Sequence, residues 1–334
     1  MPELNPGHAM HADKLKKASK FNAKDWIGQG RKYKDVPTDV VIARIKLLAL
    51  PSELHLQLPS SDIPIPEFIN LSLPTQSASL NTFHTDQWFG QQEPATDPEK
   101  AYTLVTRRTI PSLATLDQLE GAFGQKWFDG AKSIRDPRYN QGRDQLPLWV
   151  LTLWRTLHNL IKDQQNWREA YQYVSNWTKS PVVATKFPTP ESVFGSRGWN
   201  ADVMHGGFVF TTVKFAQLLQ NRQLCDDITQ VMTHRLQSRL ETQGDKGRGH
   251  LIVASRFYLV LEALTRPKFK NSEKLPLSLA AVEEAVQQNP DLKLWFPVLH
   301  RQHEVAVCID FKARTLVYGD CPLTLRYCYL HGNR

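Results

Sequence analysis

Cysteine is scarce in this chain, and long uncharged apolar runs are absent from it. The four cysteines among 334 residues show no paired spacing and lie beside apolar neighbours, as reduced thiols usually do. The N-terminal stretch MPELNPGHAMHADKLKK has no apolar core of a signal peptide, and no later run is long enough to span a bilayer. These absences predict an intracellular protein of the nucleus or cytoplasm, with no disulfide and no membrane partner.

Short motifs for cofactors and metals are absent as well. The sequence contains no glycine-rich phosphate loop and no internal repeat. Histidines and cysteines do accumulate near the C-terminus, but none of them forms a short ligand pair with a zinc spacing. That set comprises His300, His303, Cys321, Cys328 and His331. We therefore predict no cofactor and no metal site.

Basic residues exceed acidic ones, and the formal net charge is +8. Much of the excess lies near the N-terminus, in the stretches KLKKASK and GRKYK. Such a segment favours acidic partners, nucleic acid among them, although a solvated arm without a specific partner has the same composition. Residues 1–39 are accordingly predicted to be a basic disordered tail.

Residues 40–180 are predicted to form a mostly helical accessory region of unknown function. The stretch DVVIARIKLLAL is helical or strand-like in its pattern, and the recurrent prolines between Pro51 and Pro98 favour extended chain. The segment PLWVLTLWRTLHNLIKDQQNWREAYQYVSNW carries apolar residues at three- and four-residue steps, which predicts one long helix or two joined near Asp163. A change in composition places the boundary of this region near Ser180.

Residues 181–334 change from helical to strand-like periodicity. Helices are predicted for the segment that begins at Trp199, for DDITQVMTHRLQSRLETQ and for SLAAVEEAVQQNP. Two short runs rich in β-branched residues follow at 304–311 and 314–319, and they predict an antiparallel hairpin with a tight turn. Helices followed by strands indicate the α+β class.

The hairpin brings a histidine and an aspartate together at its open end. His303 precedes the first strand and Asp320 follows the second, and the two are equidistant from a turn centred between Phe311 and Lys312. In a nucleophilic site a histidine takes the proton of a cysteine or serine, while an aspartate orients the imidazole. The alternative is a buried hairpin in which the two side chains only bond each other.

The segment LWFPVLHRQHEVAVCIDFKARTLVYGDC resembles the catalytic segment of the SUMO and ubiquitin-like-protein-specific cysteine proteases. The matching residues, in order, are Pro297, His303, Ile309, Asp310, Tyr318 and Asp320. The stretch WNAD, which begins at Trp199, is a looser copy of the sequence that opens the first helix of that family's domain. The resemblance implies a helical N-terminal region followed by a partial papain-like cysteine protease domain over residues 181–334. It also implies that His303 is the general base, that Asp320 orients it, and that a ubiquitin-like modifier or its conjugates are the partner.

Three departures from the family pattern bear on activity. Glu304 replaces the tryptophan that follows the family's catalytic histidine, and Cys321 replaces the serine that follows its aspartate. The family's glutamine and Asp-Cys-Gly nucleophile segment has no counterpart, since only fourteen residues follow Asp320. Cys308 and Cys321 are predicted to be core residues, because neither has the positive surroundings of a reactive thiolate.

We therefore expect a peptidase of this class that does not hydrolyse its substrate. The alternatives are a non-catalytic modifier-binding module and a nucleic-acid-associated protein of mobile-element origin.

Overall fold

A computed structural model divides the chain into two compact units. Unit 1 comprises residues 1–60 and 67–165, and unit 2 comprises residues 61–66 and 166–334. The boundary predicted near Ser180, and the basic tail up to residue 37, lie outside the described residues. The structure describes residues 38–78, 84–94, 97–177, 179, 189–205, 208–219, 226–244, 247–254, 257–264, 277–300, 303–319 and 325–329.

Unit 1 is built from helices and one short two-stranded ladder. The helices that lie wholly or partly in it are α1 (Thr38–Leu48), α2 (Ser52–His55), α3 (Ile65–Asn70), α4 (Pro98–Arg107), α5 (Leu113–Phe128) and α6 (Val150–Trp177). Strands β1 (Phe89–Gly90) and β2 (Ser133–Ile134) pair antiparallel. The first predicted segment is thus helical, and the long aromatic segment is one helix rather than two. The division between the units falls inside α6.

Side-chain caps fix where two of these helices begin. The carboxylate of Asp97 accepts a hydrogen bond from the backbone N–H of Lys100 at 3.0 Å, and Pro98 occupies the first turn of α4. At the start of α5, the hydroxyl of Ser112 accepts a hydrogen bond from the backbone N–H of Thr115 at 3.2 Å. Each cap satisfies one of the N–H groups that a helix leaves unpaired at its first turn.

The core of unit 1 is aromatic and is organised around α6. Trp88 and Trp154 are almost fully buried and meet edge to face, with ring centroids 6.1 Å apart and planes at 84°. Buried polar groups on the same helix are paired: a ring nitrogen of His158 lies 2.8 Å from the carbonyl oxygen of Pro111, and Gln164 donates to the carbonyl oxygen of Phe68. Trp154 and Trp167 on this helix are therefore core residues, as the apolar periodicity predicts, whereas Trp177 at its end is half exposed.

Unit 2 combines short helices with a two-stranded and a five-stranded sheet. Its elements are α7 (Pro190–Phe194), β3 (Asp202–His205), β4 (Phe208–Thr211), α8 (Val213–Leu218), α9 (Asp226–Glu241), β5 (His250–Ile252), α10 (Phe257–Leu264), α11 (Leu277–Gln288), β6 (Lys293–His300), β7 (His303–Asp310), β8 (Thr315–Gly319) and β9 (Leu325–Tyr329). The two helices predicted at 226 and 278 and both predicted strands are confirmed. The α+β class is confirmed with them.

The helix predicted from Trp199 onward is wrong. The chain there forms the antiparallel hairpin β3–β4, in which His205 pairs with Phe208, and only the later residues form the helix α8. Two apolar, β-branched and aromatic runs separated by Gly206 and Gly207 are a hairpin signal, and it outweighs the helical spacing. Trp199 itself is buried, and its carbonyl oxygen accepts a hydrogen bond from the indole of Trp167 at 2.9 Å.

The five-stranded sheet has the order β5-β6-β7-β8-β9, with β5 parallel to β6 and the other neighbours antiparallel. Helices α10 and α11 cover one of its faces. The buried cluster between them consists of Phe257, Val282, Leu294, Phe296 and Val307. The rings of Phe257 and Phe296 lie 5.3 Å apart and are tilted by 65°. This apolar face holds β6 and β7 at the centre of the sheet.

No helix in the part of the chain that the structure describes is long and apolar enough to cross a membrane.

Truncation of Trp154 is expected to destabilise unit 1 strongly. Trp154→Ala removes a buried ring together with its contact to Trp88, and such a deletion costs about 3–5 kcal/mol because the cavity closes only in part. Urea denaturation followed by circular dichroism measures the change in the free energy of unfolding. The matched control is Tyr173→Ala on the same helix, where the side chain is half exposed and the expected change is below about 1 kcal/mol. Equal losses in the two variants would contradict the role given to the tryptophan pair.

Candidate functional site

The hairpin of β7 and β8 includes His303, one of the two predicted site residues, and the paired residues define its register. Asp310 pairs with Thr315, and Ala306 pairs with Gly319. The turn is therefore centred between Lys312 and Ala313, one residue later than the position predicted from the sequence, between Phe311 and Lys312. The open end of the hairpin carries the start of β7 and the end of β8 on neighbouring strands, because antiparallel strands reverse direction.

The two predicted catalytic residues lie at that open end in the sequence. His303 opens β7 and pairs through its backbone with His300 on β6. Its side chain, and the whole of Asp320, lie outside the described residues, so the hydrogen bond predicted between them stays a prediction. Val307 pairs with Tyr318, so odd-numbered residues of β7 share a face with even-numbered residues of β8. His303 has an odd number and Asp320 an even one, which is the combination that shares a face in this register.

Pro297, another residue of the family pattern, lies where β6 has a described neighbour on one side only. The pairing of β5 with β6 ends at Trp295, whereas Pro297 pairs with Ala306 on β7. Proline has no N–H to donate, and within sheets it is confined to places where a strand has an open edge. The position of this proline agrees with the order of the strands.

Asp310 stabilises the turn. Its carboxylate accepts a hydrogen bond from the backbone N–H of Ala313 at 2.8 Å and forms an ion pair with Lys293 on β6 at 3.2 Å. These contacts, led by the bond from Ala313, hold the pKa of Asp310 below its ordinary value. The turn also places Arg314 in the left-handed region, with φ of 52°. The aspartate of the Ile-Asp pair therefore has a structural role that the structure explains without catalysis.

Cys308 lies in the interior of β7. It is 3% exposed and pairs with Trp295 on β6, whose indole N–H donates to Nδ1 of His250 at 3.0 Å. Burial raises the pKa of the Cys308 thiol, and the nearby Lys293 only partly opposes that effect. A nucleophilic cysteine needs the opposite, an accessible thiol with a lowered pKa. Cys308 is a core residue, as its sequence context predicts.

Metal-binding side chains do not gather in the described ranges: no group of three or more His, Cys, Asp and Glu residues there could hold an ion. The side chains of Cys225, Cys321 and Cys328 lie outside those ranges.

Unit 1 contains a polar cleft that the sequence did not predict. Its volume is about 840 Å³. The charged and amide residues that line it include Lys126, Asp129, Arg135, Gln141, Arg143 and Gln145. They come from the end of α5, from β2 and from the turn before α6, and no short motif unites them. The pairing of β1 with β2, and of Ile134 on β2 with Leu146, brings these segments together.

Comparisons with known proteins give no match: no protein-family model fits this chain, and neither a curated protein nor a solved structure is similar to it. The likeness to the SUMO-type proteases therefore rests on the sequence alone, on Pro297, the residues of the hairpin and the stretch WNAD.

Cys308 is expected to resist alkylation in the folded chain. Iodoacetamide at pH 8 should modify it at least about tenfold more slowly than in urea, because the thiol is buried and its pKa is raised. Mass spectrometry of the peptide that contains Cys308 measures both rates. The Cys308→Ala variant identifies the signal. Equally fast modification under native conditions would make Cys308 an available nucleophile and would contradict its assignment to the core.

Proposed function

We propose that unit 2 is a domain of the ubiquitin-like-protein-specific cysteine peptidase type, which binds a SUMO-like modifier and carries the base and the orienting carboxylate of a peptidase site. The observation that carries the proposal is the hairpin: β7 starts at His303, and Gly319, the residue before Asp320, ends the neighbouring strand. The papain-like class is part of the same proposal.

The chemistry of the pair follows from its residue types. The imidazole of His303 takes a proton from a thiol, and the carboxylate of Asp320 holds the imidazole in the required tautomer and stabilises it once it is charged. Such a pair supports hydrolysis only with a thiol within about 3.2 Å of the histidine. In this proposal His303 is the base and Asp320 the orienting carboxylate, and the nucleophilic thiol is the third role.

Cys308 does not supply the third role, because it is buried in the sheet with a raised pKa. Cys225, Cys321 and Cys328 are the other cysteines, and none of them has the Asp-Cys-Gly sequence that marks the nucleophile of the family. Loss of the nucleophile removes most of the rate of a triad enzyme. The proposed activity of these 334 residues is therefore recognition of the modifier without hydrolysis.

An exposed apolar pair in unit 2 supports the recognition of a protein. Met204 on β3 pairs with Val209 on β4, and their side chains are 78% and 62% exposed. Large contiguous apolar patches on a surface mark protein-binding sites, and these two neighbouring side chains would form the centre of such a patch. Both belong to the same unit as the proposed pair of His303 and Asp320.

The pairing of His303 with Asp320 is tested by a double-mutant cycle. For His303→Ala and Asp320→Asn, we expect a coupling of about 0.5–3 kcal/mol in the free energy of unfolding, because two groups that hydrogen-bond do not contribute independently. Thermal and urea unfolding of the wild type, both single variants and the double variant give this value. The control cycle combines His303→Ala with Lys312→Ala, an exposed residue in the turn, and should be additive within about 0.5 kcal/mol. Additive effects in both cycles would show that His303 and Asp320 do not interact and would contradict the proposed pair.

Binding of a modifier is tested with SUMO and with SUMO that carries a thiol-reactive group at its C-terminus. We expect reversible binding of SUMO, no hydrolysis of a SUMO conjugate and no covalent adduct on Cys308. Met204→Ser should weaken binding by about fivefold or more, which corresponds to a contact worth about 1 kcal/mol.

The matched control is Leu259→Ser, which changes a half-exposed apolar residue on α10 and should leave the affinity unchanged. An adduct whose formation requires His303 would show that the chain has a working nucleophile. Absence of SUMO binding to the wild type would contradict the proposed function.

A further inference from the structure

The polar cleft of unit 1 is open at the surface and has a floor of backbone. Phe89 and Gly90 of β1 lie along it, and a Cβ atom at Gly90 would meet the side chains of Gln145 and Ser133. Only glycine leaves room there for the hydrogen bond that Ser133 donates to Gln145 at 2.6 Å. The volume of about 840 Å³ lies within the range of about 300–1,000 Å³ that is usual for sites of small molecules.

The charges in the cleft are not balanced by the contacts that its residues make. Lys126 forms an ion pair with Asp86, so these two charges cancel. The other carboxylate, that of Asp129, accepts a hydrogen bond from the neutral amide of Gln125 at 3.0 Å, which leaves its negative charge in place. Within the described part of the chain, the guanidinium groups of Arg135 and Arg143 have no carboxylate partner.

Arg135 is held in place by neutral groups. Its Nη2 donates to the carbonyl oxygens of Phe89 at 2.7 Å and Asp86 at 3.2 Å. Its Nε is buried and has no hydrogen-bond partner among the described residues. Bonds to carbonyl oxygens orient a guanidinium but leave its charge intact.

Arg143 comes from a strained turn at the rim of the cleft. Asn140 and Gln141 have left-handed backbones with φ of 46° and 52°, although neither is glycine. The turn is held by a hydrogen bond from the N–H of Gly142 to the carbonyl oxygen of Tyr139 at 2.9 Å. Strained backbone of this kind occurs preferentially at ligand-binding sites. It places Gln141 and Arg143 side by side on the lining, where Nη2 of Arg143 donates to Oε1 of Gln141 at 3.2 Å.

We propose that this cleft binds a small molecule with a phosphate group, of the size of a mononucleotide. The forked donors of two guanidinium groups without carboxylate partners match the oxygen atoms of a phosphate monoester. With both carboxylates counted, the lining keeps one positive charge in excess, which favours an anion. A lone phosphate fills little of the volume. The amide side chains of Gln91, Gln92, Gln141 and Gln145 also line the cleft. They both donate and accept hydrogen bonds, which is the chemistry that the edge of a nucleobase requires.

The test is a calorimetric titration of the full chain with adenosine monophosphate, adenosine and inorganic phosphate. We expect adenosine monophosphate to bind with a dissociation constant below about 1 mM and more tightly than either of the other two. Arg143→Gln should weaken it by about tenfold or more, because a charge-assisted hydrogen bond is lost. Arg143 is exposed, so this variant retains the fold.

Arg107→Gln is the matched control. It removes the same charge from an exposed position in unit 1 that does not line the cleft, and it should leave the affinity unchanged. Equal weakening by the two substitutions would show a general charge effect and would overturn the proposal. Absence of binding, or equal affinity for adenosine or for inorganic phosphate alone, would overturn it as well.

Discussion

The antiparallel pairing of β7 with β8 is the constraint on which the proposed site depends. Side chains of a strand alternate between two faces, so a shift of one residue in register would move every one of them to the other face. The turn after Asp310 sets that register, since the carboxylate caps it and the ion pair with Lys293 ties it to β6. The packing of Val307 and Phe296 beneath α10 and α11 then fixes which face is buried.

Much of this sheet was predictable because its periodicity is strong. The run 304–311 is nearly all apolar and β-branched, and such a run of eight residues bounded by polar turns is typical of a buried strand. The turn lies one residue later than the midpoint of His303 and Asp320 predicts. That midpoint takes no account of the hydrogen bond by which the Asp310 carboxylate caps the turn. The long helix α6 was equally clear, because its apolar spacing continues over seven turns without glycine or proline.

The failures occurred where two patterns competed. The stretch after Trp199 has apolar residues at helical spacing, yet the Gly-Gly pair between its two short runs is a turn signal, and it decides the structure. In α9 the apolar residues at four-residue steps are only partly core: Ile228 is buried, whereas Met232 and Leu236 are about half exposed, and the threonines Thr229 and Thr233 are buried. Spacing shows that residues share a face, but only the neighbouring elements decide whether that face is covered. The cleft of unit 1 was unpredictable for the same reason, since strand pairing and not a motif assembles it.

His303, the proposed base, and Cys308 lie on the same strand, β7, but far from each other. His303 and Cys308 are five positions apart on β7, which is about 17 Å of extended backbone, and their positions differ in parity. No rotamer change brings a buried thiol across that distance and through the sheet. Reactivity at the open end of the hairpin therefore requires a thiol from another part of the fold, whereas the recognition we propose uses the exposed apolar pair on β3 and β4. The proposed binding of a modifier is compatible with the proposed lack of hydrolysis, because the residues proposed for the two tasks lie on different elements.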